Sequence, residues 1–176
     1  PISLYQKFVR AVHRRTFVFS TRSGVINHIQ KGRASWGAVD RNENDDLVGD
    51  WAGSVERSSE PIVEKANAIR NALRKPRQRG WRRIIIQSDC KIVIEKIKLE
   101  SLKDPLASAV LFDMLQNSKG FCNSFFSFIK REGIVVSHSL AKFALNLDAN
   151  IAWRVSFPSW LLRLAKNDIG AVAQMM

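Results

Sequence analysis

Three isoleucines, Ile84, Ile85 and Ile86, lead through Gln87 and Ser88 to one carboxylate, Asp89, after which the spacing turns helical. An acid at the carboxyl tip of a buried strand stands where α/β folds usually place their chemistry. It has two readings: a hard oxygen donor for a catalytic metal, or the N-cap of a helix starting near Lys91. His138, in "VVSHSLAKFAL", is a second candidate. A neutral imidazole there takes up a proton or binds a softer metal, but a lone histidine is also an ordinary surface or satisfied residue. A third feature is charge. The run "RKPRQRGWRR" holds Arg74, Lys75, Arg77, Arg79, Arg82 and Arg83, and Lys130 and Arg131 close the last strand. Such residues hold a phosphate backbone without reading sequence, although any charge run is also a solvated turn. Trp81 lies among them, placed either to stack on a base or to pack. Trp36, Trp51 and the "FFSF" segment read as core, as do Cys90 and Cys122, which lack metal-ligand spacing.

The charge is not local. Lys and Arg outnumber Asp and Glu by 28 to 16, a formal +12 on 176 residues, which points to a polyanionic partner, nucleic acid before an anionic membrane surface. With 45% hydrophobic and 25% charged residues the chain reads as an ordinary globular protein with one core. No apolar run approaches the roughly 18 to 20 residues of a membrane span, and the N-terminus lacks a signal-peptide core, so an intracellular setting, nucleus or cytoplasm, is expected. A start at Pro1 rather than Met suggests a fragment or processed product.

The elements that must position these residues follow from periodicity. Residues 15–25 read as a first strand. "ASWGAVDRN" and "DLVGDWAGSVE" flank the turn-rich "NENDD" as a hairpin. Ser58 or Ser59 caps a helix with Pro61 in its first turn, whose inward stripe is Ile62, Ala66, Ile69 and Leu73 and which Pro76 kinks or ends. Trp81 to Ile86 form a strand apolar on both faces, as parallel strands are. Helices follow over 90–98 and about 105–117, then a strand in "FCNSFFSFIKRE", a helix through Val136, Leu140, Phe143 and Ala144, and a short amphipathic helix from Pro158. This order describes an α/β domain with a mixed sheet, an antiparallel side followed by parallel strands.

"ASWGAVDRNENDDLVGDWAG", "EKANAIRNAL", "GWRRIIIQSDCKIVI" and "REGIVVSHSLAKFAL", in that order and spacing, resemble the ribonuclease H-like domains of plant genomes, many derived from retroelement reverse transcriptases. The resemblance implies a three-layer fold with a mixed five-stranded sheet over residues 16–148, preceded by an extension (1–15) and followed by an amphipathic tail (149–176). It also implies hydrolysis of RNA paired to DNA by two Mg²⁺ ions held by four carboxylates, since paired hard cations must stabilise both the attacking and the leaving oxygen.

Carried over by position, that set is depleted. The fourth-strand acid is Asp89. The first-strand Asp falls on Ser23 of "Ser23-Gly24-Val25", the helix Glu on Lys65, the last Asp on His138, and the family's Asn on Ile134. Glu64 is one helical step, about 100°, from Lys65 and is expected in solvent. Asp40 and Asp50 lie in the hairpin with no pattern directing them to the site. A unit charge about 4 Å from another contributes about 4 kcal/mol at an effective dielectric near 20, and a divalent ion beside Lys65 meets about twice that in repulsion. The expectation is a domain that binds RNA/DNA hybrid or duplex through phosphates with impaired or lost hydrolysis and little or no bound Mg²⁺. The rivals are an active two-metal ribonuclease and a protein-interaction remnant. Oligomeric state is not legible.

Overall fold

A computed structural model describes residues 15–24, 33–41, 46–56, 60–100 and 107–173. Most of the N-terminal extension, Ser58 and Ser59 and most of the hairpin turn lie outside them.

Among the described residues six strands form one sheet: β1 (Arg15–Gly24), β2 (Arg33–Arg41), β3 (Leu47–Glu56), β4 (Arg83–Ser88), β5 (Asn123–Phe128) and β6 (Ile151–Trp153), in the order β5-β4-β1-β2-β3-β6. β1 to β3 are antiparallel neighbours, and β4 lies parallel to both β1 and β5. The mixed sheet therefore has the expected two sides. The short β6, antiparallel to β3, adds a sixth strand that its three residues could not announce by alternation.

Alternation along β2 and β3 sends successive side chains to opposite faces. Trp36, Ala38 and Trp51 join Ile84 and Ile86 under α1 (Pro61–Gln78), α2 (Lys91–Lys98) and α3 (Ser108–Ser118). Val39 and Ala52 face the other way, under α4 (Val135–Ala144) and α5 (Ser159–Ala173). The C-terminal tail is thus part of the second layer: Leu161 is fully buried in it, and Phe143 contacts the Trp160 ring at 5.5 Å.

α1 buries Ala66, Ile69 and Leu73 as the stripe predicts. Three details differ. Its N-cap is Glu60, Pro76 does not end it, and Glu64 is buried because α2 and α3 as well as the sheet pack on this helix, widening the buried arc. The chain leaves α1 through Gly80 at φ +69°, with the Trp81 amide donating to the Pro76 carbonyl at 3.1 Å, a left-handed stop that glycine tolerates. In "FFSF" only Phe126 is buried and Phe128 is 40% exposed, because β5 is an edge strand. Cys90 is buried, but Cys122 lies exposed in the loop before β5.

Candidate functional site at the carboxyl end of β4

β4 ends where the Cys90 amide donates to Ser88 Oγ at 3.1 Å, turning the chain into α2. The Ile129 amide donates to the Ser88 carbonyl at 3.0 Å, so the end of β5 is tied to the same tip. Asp89 sits between strand and helix, half-buried. It is not the cap of α2: that position is Cys90, which makes no side-chain capping bond.

Lys65 reaches this tip from the first turns of α1. Burial is the main cause that pushes the Cys90 thiol upward. A hydrogen bond from the Val93 backbone and the charge of Lys65 pull it down, and the charge of Asp89 pushes it up. Both charges therefore act on one sulfur, which brings the ammonium and the carboxylate to the same end of the sheet.

His138 arrives on α4. A Cβ placed on Gly37 would lie 2.6 Å from the Ala141 amide nitrogen, 2.7 Å from Leu140 Cβ and against the Ser137 carbonyl, so only glycine lets this helix lie directly on β2. Gly37 pairs with Ser20, and the β1–β4 register ends at Phe19 beside Ser88. One further step sets Ser20 level with Asp89. The first turn of α4, with half-buried His138 next to Ser137, therefore lies over the sheet at the level of Asp89. Ser23 pairs with Ala34, three residues beyond Ser20, about 10 Å further along the strand. Register thus brings Ser20, not Ser23, beside Asp89. Counting back from "ASWG" missed it, but the result for charge is the same: the first acid in the whole sequence is Asp40, so β1 has none to offer.

The other hairpin acids are elsewhere. Arg79 Nη1 donates to Asp40 Oδ2 at 3.3 Å, and Arg79 is fourteen residues along α1 from Lys65, about 21 Å. Its guanidinium lies 4.6 Å from the Trp51 ring centroid and 5.4 Å from that of Trp81, which places Trp81 in packing. Asp50 pairs with Val39 and so shares the α4–α5 face, fully buried, with neither carboxylate oxygen hydrogen-bonded. Burial pushes its pKa up to about 8, against the pull of Arg41 and with a smaller push from Asp40. It is a neutral acid in an apolar layer. Among the described residues no three His, Cys, Asp or Glu side chains gather as metal ligands. One carboxylate, one imidazole and one ammonium do not make the hard oxygen cage that paired Mg²⁺ requires.

The basic residues divide between two ends. Exposed Lys130 follows β5, beside the Ser88 tip, and Arg131 opens the 3₁₀ turn after it. Arg74, Lys75, Arg77, Arg82 and Arg83 lie at the other end, where α1 finishes and β4 begins. Arg79 is turned inward onto Asp40.

A model of proteins described as reverse transcriptase-like matches residues 22–144, more than half of the chain. The chain belongs to the reverse transcriptase-like family. Its fold is ribonuclease H-like. RNase H1 from the halophilic archaeon Halobacterium salinarum superposes with a TM-score of 0.67 at 20% identity, covering 77% of this chain and 99% of that one. LC11-RNase H1, solved with an RNA/DNA hybrid, gives 0.61 at 15% identity over 74% and 96% of the two chains. The foamy viral protease-reverse transcriptase, also solved with an RNA/DNA hybrid, gives 0.61 at 10% identity over 76% of this chain and 20% of that one. No curated protein matches significantly. No helix among the described residues of this reverse transcriptase-like chain is long and apolar enough to cross a membrane.

Proposed function

We propose that this ribonuclease H-like domain, of retroelement descent, holds RNA/DNA hybrid or duplex nucleic acid by its phosphates at the carboxyl end of β4, and that its two-metal hydrolysis is impaired or lost. The observation that carries the reading is that the charges of Lys65 and Asp89 both act on the Cys90 thiol, an ammonium at the same sheet end as the strand-tip carboxylate, where the sequence resemblance leads one to expect a glutamate. Removing carboxylates and adding an ammonium reverses what the site attracts: Mg²⁺ is repelled, and a phosphate is drawn in without a bridging cation. Lys65 and Lys130 supply charge, and His138 supplies a donor from α4. The hybrid complexes of LC11-RNase H1 and of the foamy viral enzyme support the ligand class, and the net charge of +12 supports the mode of binding.

Two measurements test this. Affinity for a hybrid should fall steeply with salt, and Lys65→Ala with Lys130→Ala should weaken it and reduce the slope by about 2. Affinity independent of salt would remove the phosphate reading. Incubation with labelled hybrid and Mg²⁺ or Mn²⁺ should leave the RNA strand intact. Cleavage that Asp89→Asn abolishes would instead establish the active ribonuclease, the reading that retained Asp89 favours.

A further inference from the structure

At the amino-terminal ends of β4 and β5 two loops meet. The Cys122 amide donates to the Arg82 carbonyl at 2.7 Å, joining the loop that follows α1 to the loop that follows α3. Arg74, Arg77, Arg82, Arg83 and Lys119 are exposed around this junction. Neither stretch brings a counter-charge: residues 65–88 and 114–131 contain no Asp or Glu. Two of the guanidiniums are held in place from within. Arg77 Nη1 donates to Asn117 Oδ1 at 3.2 Å, and Arg82 Nε donates to Cys122 Sγ at 3.3 Å. Each bond uses one of the five N–H groups a guanidinium carries.

β4 separates this cluster from Asp89 by its six residues, about 20 Å. Screening at physiological salt acts over about 8 Å, so the two ends act as independent charge centres. The exposed large apolar residues all lie outside residues 74–83 and 117–123. A lipid-binding surface would place apolar anchors among its cations, whereas a phosphate backbone needs only the cations.

We propose that this end of the sheet is a second nucleic-acid-binding surface, which holds a stretch of phosphate backbone separate from the one at Asp89. It rests on the proposed function for its ligand class but not for its location. The domain then engages nucleic acid at two opposite ends and joins two segments of one molecule or two molecules.

Cys122 provides a local reporter. It is exposed in the cluster, whereas Cys90 is buried, so a thiol-alkylating reagent applied to the native full chain labels Cys122. A saturating RNA/DNA hybrid should slow that labelling at least several-fold. Arg77→Gln, Arg83→Gln and Lys119→Gln together, which leave the Arg82 contact to sulfur intact, should abolish the protection and lower the salt slope by about 2 to 3. The Lys65→Ala, Lys130→Ala variant should retain the protection even if the Asp89 end proves not to bind. Unchanged labelling with hybrid bound overturns the proposal. So does protection by phosphatidylserine vesicles but not by hybrid, which would make the surface a membrane contact.

Discussion

Asp50→Asn removes one buried charge and changes little in shape, and it decides whether this acid can ever serve a metal. The unfolded carboxyl titrates near 3.8 and the folded one near 8, so the native state binds this proton more tightly than the unfolded chain does. Stability from this group is complete below about pH 4 and is lost as pH rises towards 8, where the buried group finally ionises. A difference of about 4 units at about 1.4 kcal/mol each amounts to a loss on the order of 5 kcal/mol across that window. The asparagine variant has no such slope. Urea unfolding followed by tryptophan fluorescence from pH 5 to 8 should show its stability gaining on the parent by about 1.4 kcal/mol per pH unit. A constant difference would refute the raised pKa. That constant difference is what an Asp50 ionised in both states across this range produces, and a charged carboxylate would then be available on that face.

Lys65→Glu with His138→Asp should create measurable Mg²⁺ uptake in a calorimetric titration, because it restores two acids beside Asp89; heats equal to those of the parent would refute the assignment of Lys65 and His138 to the ancestral metal positions. Gly37→Ala should cost about 3 kcal/mol or more in denaturant unfolding, since the new methyl meets the α4 backbone, which cannot yield as a side-chain end would; a loss under 1 kcal/mol would show that α4 does not rest on β2. Gly80→Ala should cost about 1 kcal/mol, all of it conformational, because φ is +69° and nothing lies within 4 Å of the added carbon; its hybrid affinity should stay that of the parent.

Much of the scaffold is visible before folding is considered. The isoleucine run of β4, buried on both faces, and the Ala66, Ile69 and Leu73 stripe of α1 carry their periods in the residues themselves, since burial of one or both faces leaves a local signature. Asp89 at a strand tip followed from the same pattern. β6 did not, because three residues carry too few alternations to stand out. Pro76 does not end α1, which runs only two residues further, to Gln78.

What the sequence determined alone is composition: its first acid is Asp40, so β1 carries none, and Lys65 stands beside Glu64 at the start of the "KANAIR" block of α1. Which residues meet is a matter of register and packing, and those depend on partners far away in the chain. Pairing of β1 with β4 sets Ser20 rather than Ser23 beside Asp89. Packing of α2 and α3 on α1 hides Glu64, and strand alternation sends Asp50 into the α4–α5 layer as a protonated acid. The same topology divides one basic chain into two charged ends, because a strand about 20 Å long runs between them.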